Sequence, residues 1–178
     1  MKKNTLQYRF FYFNVLFIII ITILIGVFSY LLISKAVGDE IGERALSIAR
    51  STASREDIEI AFESDDPSAK LQPIALSIQQ QTGAAYVVIG NKDEIRYAHP
   101  NVEKIGKKMV GDDNDKALIE GLSYITYATG TLGEAIRGKS PVINQQGEIV
   151  GVVSVGFLQT KITSTLPVSY THLRAHET

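Results

Sequence analysis

The chain has 178 residues, a formal net charge of −1 and no cysteine. A charge so close to neutral argues against nucleic-acid binding, because nucleic-acid binders carry a basic excess or a basic stripe. The absence of cysteine excludes disulfide bonds, and a domain that buries a hydrophobic core does not need them even in an oxidising compartment.

An apolar segment from Phe10 to Ile33 follows Lys2, Lys3 and Arg9. As a helix, about two dozen residues rising about 1.5 Å each extend about 36 Å, more than a hydrocarbon core of about 30 Å. A cleaved signal peptide is the alternative, but its apolar core is shorter and no small-x-small cleavage site follows Ile33. The sequence therefore predicts an uncleaved transmembrane helix over residues 10–33.

The charges on either side of this helix predict its orientation. The three cations before it contrast with a mixture of acidic and basic residues after it, Lys35, Asp39, Glu40, Glu43 and Arg44. The positive-inside rule then leaves residues 1–9 in the cytoplasm and residues 34–162 outside it. About 145 residues follow the helix, which suits one domain with a single hydrophobic core.

The segment from Ser34 to about Phe62 has a helical pattern with one narrow seam, formed by Val37, Ile41, Ala45, Ile48 and Thr52. Two interpretations are open. The seam pairs with the same helix of a second subunit as a short coiled coil, or it packs on the sheet of its own domain. After a polar break at Pro67, a second helix has apolar residues from Leu71 to Ile78, and Gly83 ends it as a C-terminal cap.

Five segments with strand-like patterns follow, at residues 85–89, 95–99, 123–128, 134–143 and 148–157, with a short helical piece near 116–120. Turn residues separate the first two strands and the last two. The last strand is apolar on both faces, which indicates a central position in the sheet. Two helices followed by a five-stranded antiparallel meander predict an α+β domain.

Cationic side chains gather in this predicted sheet. The period of two along a strand places Arg137 and Lys139 on one face. Arg96 lies on a strand predicted to be a companion in the same sheet, and His99 follows where Pro100 bends the chain. An arginine fork binds a carboxylate through two parallel hydrogen bonds and a lysine adds a point charge. The pattern favours a small polycarboxylate as ligand, and the alternative is a solvated charged surface.

The turn Gly130-Thr131-Leu132-Gly133 precedes the strand that carries Arg137 and Lys139. Such a turn exposes successive backbone N–H groups, which favour anionic oxygen. The imidazole of His99 is suited to donating to a hydroxyl or carboxylate, and its charge makes binding sensitive to mild acid.

A run of acidic residues, Asp112, Asp113 and Asp115, resembles part of a calcium loop. It lacks the glycine and the distal glutamate of a full EF-hand loop, so we interpret it as a solvated loop that caps the helix near Ala117. The chain shows no nucleophile with a base, no zinc spacing and no phosphate loop. We therefore expect no catalytic residues, no metal site and no cofactor in this segment.

An ordered series of motifs carries a resemblance to a known family. The motifs are Ile95-Arg96-Tyr97-Ala98-His99-Pro100-Asn101, Ile105-Gly106-Lys107, Gly130-Thr131-Leu132-Gly133, Arg137-Gly138-Lys139-Ser140-Pro141 and Gly151-Val152-Val153-Ser154-Val155-Gly156-Phe157. Over about residues 35 to 160 the chain resembles the citrate and C4-dicarboxylate sensor histidine kinases of the CitA/DcuS type. The resemblance implies a PAS-like (single Cache) domain outside the bacterial cell membrane. In that family a second membrane helix, a cytoplasmic PAS domain and a histidine kinase follow.

The resemblance also implies a ligand site. Its members are Arg96 and His99 from the early strand, Arg137 and Lys139 from the fourth strand, and Thr131, Leu132 and Gly133, which contribute hydroxyl and backbone groups. Three positions depart from the pattern of citrate sensors, namely Val88 in place of a hydroxyl residue, Leu122 in place of a lysine and Asp112 in place of a glycine. These departures leave the carboxylate-binding core intact and weaken the assignment of citrate as the ligand.

The expected function is extracytoplasmic sensing of a di- or tricarboxylate, such as malate or citrate, as the input part of a two-component sensor histidine kinase. The resemblance implies a homodimer, and a response regulator that is reached through the kinase portion. A chemoreceptor with a similar outer domain is one alternative, which the native sequence after Lys161 would distinguish. A membrane-anchored enzyme acting on organic acids is another, and the lack of an acid/base pair beside the cations argues against it.

Residues 163–178 do not continue the helical or strand patterns and contain no apolar run. A member of the family would continue here as a helix into its second membrane span. We therefore expect this tail to be non-native sequence and exclude it from reasoning about the fold. His172 and His176 have the spacing of a metal pair, but a terminal tail without further ligands argues against a metal site.

Overall fold

The computed structural model describes residues 4–111, 113–130 and 133–158. The helices are α1 Asn4–Ala53, α2 Glu56–Phe62, α3 Pro67–Thr82 and α4 Asp115–Leu118, with one turn of 3₁₀ helix at Val102–Lys104. The strands are β1 Tyr86–Asn91, β2 Arg96–Ala98, β3 Tyr124–Gly130, β4 Gly133–Ile143 and β5 Ile149–Leu158. The predicted tail at 163–178 lies outside the described residues.

The first part of α1 is a membrane-span candidate. Of the helices in the described part of the chain, it alone is long and apolar enough to cross a membrane, with a mean hydropathy of 3.0 in its most apolar window. Its large apolar side chains, from Tyr8 to Ile33, are exposed, as expected for a surface whose partner is lipid. The chain divides into two units at this helix, one ending at Glu40 and the other beginning at Ile41, and each is described by itself.

The second unit contains one antiparallel sheet of five strands in the order β2-β1-β5-β4-β3. The predicted strands, their antiparallel pairing and the central position of the last strand are confirmed. The predicted meander is wrong, because β1 pairs with β5 and the chain crosses from β2 at one edge to β3 at the other. The cause lies in β5, whose residues 151–156 are all buried, so that it needs a strand on each side.

One face of this sheet forms the hydrophobic core. Val87, Ile89, Val153 and Val155 on the central strands pack with helix residues that include Ala49, Ile58, Leu71 and Ala75. Complete burial of a side chain such as leucine or isoleucine contributes roughly 1.5–3 kcal/mol by removal of apolar area from water. The helices therefore cover one face of the sheet and leave the other for the loops.

The outer end of α1 packs on the sheet of its own domain. Ala45 and Ala49 are fully buried, and Thr52 is buried as well. A Cβ atom added to Gly138 of β4 would lie 2.2 Å from the backbone nitrogen of Leu46, so the helix backbone lies directly against that strand. Of the two interpretations of the seam, packing on the domain's own sheet is the one observed from Ala45 onward.

The predicted helix from Ser34 to Phe62 is interrupted. The α1 helix ends at Ala53, and Arg55 has extended backbone angles, φ −79° and ψ 134°, before α2 begins. The Ser54 hydroxyl donates to the Ser51 carbonyl at 3.2 Å, and the Arg55 side chain pairs with Asp57 at 2.6 Å. Serine side chains compete for backbone partners and so favour a helix end. The Gly83 cap of α3 is confirmed, with φ at 71° and its N–H bonded to the Gln79 carbonyl.

Candidate ligand-binding site

The sheet face opposite the core carries Arg137 and Lys139 of β4. Arg137 is paired across the sheet with Gly156 of β5, and Gly156 is paired in turn with Tyr86 of β1. Lys139 is paired with Ser154, beyond which lies Val88. Directly opposed residues in antiparallel strands project to the same face. The shared face predicted for the two cations is confirmed, and it holds two rows of residues across three strands.

Both cations are buried. The side chains of Arg137 and Lys139 are 4% and 1% exposed. The alternative of a solvated charged surface is therefore wrong for this pair. Burial of an ammonium or guanidinium group costs several kcal/mol unless an anion and further hydrogen bonds offset it. The anion that does so is an aspartate from the acidic loop.

Asp113 bridges the two cations. Its Oδ1 accepts from the Lys139 Nζ at 2.8 Å, and its Oδ2 accepts from the Arg137 Nη1 at 3.2 Å. The Tyr124 hydroxyl donates to the backbone carbonyl of Asp113. The interpretation of this loop as solvated and helix-capping is wrong for Asp113, because its carboxylate reaches into the sheet. The acidic run in the sequence could have indicated a partner for the cations, but Arg137 and Lys139 are distant from Asp113 in the chain.

A second polar chain fixes the other side of Lys139. Its ammonium also donates to the Oδ1 of Asn114, which is fully buried, and the Nδ2 of Asn114 donates to the Glu94 Oε1 at 2.6 Å. Burial opposes ionisation of Glu94, but hydrogen bonds from Asn114 and Lys108 lower its pKa overall. Lys139 therefore lies between two acceptors, one of which is anchored to a carboxylate.

Burial is the largest influence on the pKa values of Lys139 and Tyr124. It lowers the pKa of Lys139, and the hydrogen bond to Asp113 opposes that shift in part. It raises the pKa of Tyr124 to about 12, with the charges of Asp113 and Asp115 adding to the effect. The Tyr124 hydroxyl therefore remains a proton donor at neutral pH. A further anion beside Lys139 would favour its charged form.

Two buried polar atoms in the row of Arg137, Gly156 and Tyr86 make no hydrogen bond of ordinary geometry with the residues that the structure describes. They are the Tyr86 hydroxyl oxygen and the Arg137 Nε. Burial raises the pKa of Tyr86, while the nearby charge of Arg137 opposes the shift. The Arg137 guanidinium acts on Tyr86 both as a charge and as a hydrogen-bond donor, which leaves the Arg137 Nε as a buried donor without an acceptor among the described residues, at a cost of roughly 1–3 kcal/mol. Tyr86 was not predicted, because in the sequence it reads as a core residue of an apolar strand.

Gly156 makes room for the Tyr86 ring. A Cβ atom at Gly156 would lie 2.0 Å from the Tyr86 Cζ, a distance that no side chain tolerates. The ring therefore crosses over the glycine toward Arg137. This close approach brings a phenol and a guanidinium together from strands that are not neighbours.

Arg96 and His99 form a second group at the β2 edge of the sheet. Arg96 is buried and lies opposite Gly90, at a β-bulge between Ile89 and Gly90. Its strand β2 is an edge strand that is separated from β4 by β1 and β5. The expectation of one sheet is confirmed, but the two pairs of cations are not on adjacent strands. The Arg96 Nη1 donates to the Lys107 carbonyl at 3.5 Å.

One side chain fixes the backbone of His99 through both its carbonyl and its N–H. Gln72 of α3 donates to the His99 carbonyl and accepts from its N–H, each at 2.9 Å. The His99 Nδ1 lies 2.9 Å from the Asn101 backbone nitrogen and 3.1 Å from the Asn101 carbonyl oxygen, so the Asn101 backbone can pair with this nitrogen in either tautomer. Burial lowers the pKa of His99, and the Asn101 backbone opposes the shift, while the charge of Arg96 lowers it further. The imidazole is therefore neutral at pH 7 in this state.

The predicted turn is described in part. Gly130 pairs with Gly133 at the end of the β3–β4 hairpin, and Gly133 has φ at 112°, a value that favours glycine. Thr131, Leu132 and Asp112 lie outside the described residues. Val88 is buried beside Ser154 on the site face, so the residue that departs from the citrate-sensor pattern lies at the site itself.

Comparison with known proteins gives the family. The model for single Cache domain 3 matches residues 34–168. The chain belongs to the single Cache family. Its sequence is 46% identical over 154 residues to the sensor protein CitS of Halalkalibacterium halodurans, with 86% of this chain and 29% of that protein covered. It is 31% identical over 134 residues to the sensor histidine kinase CitA of Klebsiella pneumoniae, with 75% and 24% covered.

The Cache fold also matches a solved structure. The sensor domain of Escherichia coli DcuS superposes with a TM-score of 0.68 at 26% identity, over 72% of this chain and 96% of that domain. A second similar structure is the sensory domain of the membraneous two-component fumarate sensor DcuS of Escherichia coli. The predicted resemblance to sensors of the CitA/DcuS type and the predicted PAS-like fold are thereby confirmed. The chain spans less than a third of the length of the curated relatives CitS and CitA.

Proposed function

We propose that this Cache domain binds a di- or tricarboxylate outside the cytoplasm and supplies the input to a two-component sensor histidine kinase. The observation that supports this most is the buried pair Arg137 and Lys139, bridged by a carboxylate at 3.2 Å and 2.8 Å. These two cations already bind one carboxylate, that of Asp113, which supports a carboxylate as the ligand.

A ligand with at least two carboxylates fits the arrangement of the cationic side chains in two separate groups, one on β4 and one at the β2 edge. Arg137 and Lys139 receive one carboxylate, and the Tyr86 hydroxyl, which lies beside Arg137, is a further donor for the same position. Arg96 and His99 receive the other from the edge of the sheet. Following the family resemblance, Thr131, Leu132 and Gly133 would contribute hydroxyl and backbone donors. The relative DcuS, a fumarate sensor, supports a C4-dicarboxylate as one candidate.

The whole protein is proposed to follow the arrangement of these relatives. Residues 1–9 lie in the cytoplasm, residues 10–33 cross the bacterial membrane, and residues 34–162 form the external sensor domain. A homodimer and a response regulator, reached through a kinase portion, complete the pathway, and residues 163–178 are non-native. Binding shifts the domain between two shapes, to the extent that the ligand has different affinities for them. The strand β5 carries the change toward the next segment.

Isothermal calorimetry on the full chain in detergent tests the ligand class. We expect saturable heat with at least one of malate, fumarate, succinate and citrate. The Arg137→Ala variant should weaken that binding at least tenfold, because it loses charge-assisted hydrogen bonds, each worth about 1.5–3 kcal/mol. Arg55→Ala is the matched control, since Arg55 is exposed and pairs with Asp57 away from the site. If the folded protein gives no binding heat with any of the four acids, the proposal is contradicted.

A further inference from the structure

The carboxylate of Asp113 pairs with Arg137 and Lys139, the two cations proposed to bind a ligand carboxylate. We infer that Asp113 is an internal competitor, which the ligand must displace, and that this residue sets the affinity of the sensor. The inference rests on the proposed function. It adds a residue that does not bind the ligand but reduces its affinity.

The burial of the three charged groups supports displacement. Asp113 is 17% exposed, whereas Arg137 and Lys139 are 4% and 1% exposed. The aspartate is therefore more accessible to solvent than the cations that it pairs with. The remaining Arg137 Nη2 donates to the Ala128 carbonyl at 3.2 Å. The donors that face the loop, Arg137 Nη1 and Lys139 Nζ, are already bonded to Asp113, so a ligand gains them by exchange.

The neighbours of Asp113 allow its carboxylate to leave while the cations stay in place. Asn114 is fully buried and anchored to Glu94, so it retains its hydrogen bond to Lys139 without Asp113. The backbone of Asp113 is held by the Tyr124 hydroxyl. The aspartate itself precedes α4 and lies outside the regular helices and strands. Rotation about its side-chain bonds therefore breaks two ion pairs and leaves the fold intact.

The competition has a defined effect on recognition. When only a fraction of molecules has its cations free, the observed dissociation constant is the intrinsic constant divided by that fraction. Competition by Asp113 therefore raises the dissociation constant by the same factor for every ligand that binds these cations, whatever the total charge of the ligand. A monocarboxylate only replaces one carboxylate by another, so it gains little. A polycarboxylate also contacts Arg96 and His99, and this additional binding drives the exchange.

The test is calorimetry on full-length Asp113→Asn with malate and citrate, compared with the unmodified chain. Asparagine keeps the shape of the side chain and removes its charge. We expect both acids to bind about tenfold tighter and by the same factor, because exchange no longer breaks hydrogen bonds between charged groups. Asp115→Asn is the matched control, since Asp115 is exposed and two residues away, and its affinities should equal those of the unmodified chain.

The alternative results separate the hypotheses. Unchanged or weaker binding by folded Asp113→Asn overturns the inference and leaves the proposed function standing. A larger gain for citrate than for malate also overturns it, because it would mean that Asp113 stays in place and repels ligands in proportion to their charge. If neither protein binds either acid, or any other carboxylate, the proposed function fails as well. Asp113→Ser serves as a second variant if Asp113→Asn does not fold, with the same expected direction.

Discussion

At the scale of single residues, the site depends on buried charges whose partners come from distant parts of the chain. Lys139 is paired with Asp113 and Asn114, and Arg137 with Asp113 and Ala128. Removing one partner of a buried ion pair costs about 3–5 kcal/mol because the other charge is left uncompensated. A ligand carboxylate that replaces Asp113 preserves this compensation. Exchange of one anion for another is therefore the energetically accessible way into this site.

His99 gives the site a predictable dependence on pH. Burial holds its pKa below the ordinary value, so the imidazole is neutral at pH 7. A carboxylate placed beside it favours the protonated form and raises that pKa in the complex. If His99 contacts the ligand as proposed, we expect binding to take up a fraction of a proton. We expect affinity to increase as the pH falls from about 8 toward about 6, the range in which histidine titrates.

Calorimetry at pH 7 in buffers of different ionisation enthalpy measures this uptake directly. His99→Gln should bind more weakly and show no proton uptake. The unmodified chain should show uptake with the same ligand. An affinity independent of pH over that range, or uptake that persists in His99→Gln, would show that His99 does not contact the ligand.

At the scale of secondary-structure elements, the contact between α1 and β4 decides the stability of the unit that begins at Ile41. Gly138 lies against the backbone of α1, where an added Cβ atom would be 2.3 Å from the Ala45 carbonyl carbon. Backbone atoms cannot move aside as the end of a side chain can. We expect Gly138→Ala to lower the free energy of unfolding by about 1–3 kcal/mol, as overpacking of a core does. Thermal or denaturant unfolding followed by circular dichroism measures the loss.

Gly42→Ala is the matched control at the same interface. An added Cβ atom there would meet side-chain atoms of Ile125 at 3.0 Å and 3.2 Å, and these atoms can shift. Replacing glycine by alanine inside a helix also stabilises the helix by roughly 0.5–1 kcal/mol. The two effects oppose each other, so this variant should unfold close to the unmodified chain. Equal losses from both variants would contradict the packing described here.

Arg44 links three elements near this contact. Its Nη2 donates to the Thr82 carbonyl at the end of α3 at 2.6 Å, and its guanidinium lies 5.3 Å from the centre of the Phe157 ring on β5. A cation over an aromatic face is an attractive contact. The outer part of α1 and the end of β5 are therefore in direct contact through one side chain.

At the scale of the whole molecule, the transmembrane orientation is testable because the chain contains no cysteine. We expect a cysteine introduced at Asp65, which is exposed, to react with a membrane-impermeant maleimide on intact cells. A cysteine introduced at Lys3 should react only after the cells are permeabilised. The positive-inside rule gives this expectation, since the three basic residues precede the apolar segment. The reverse labelling pattern would place the carboxylate site in the cytoplasm.

The sequence by itself determined the membrane-span candidate, the type of nearly every element, the Gly83 cap and the shared face of Arg137 and Lys139. Each of these follows from patterns within a few residues, such as helical period, strand alternation and turn chemistry. The motif order was also sufficient to indicate the family.

Only the tertiary structure decided the strand order, the partner of the α1 seam and the residues that complete the site. The pairing of β1 with β5 places Tyr86 beside Gly156. The local sequence pattern of these strands does not specify which strands become neighbours in the sheet. Asp113 and Tyr86 are at the site because folding brings their strands and loop to Arg137. Their roles arise from burial and close contact between distant segments, which no local pattern specifies.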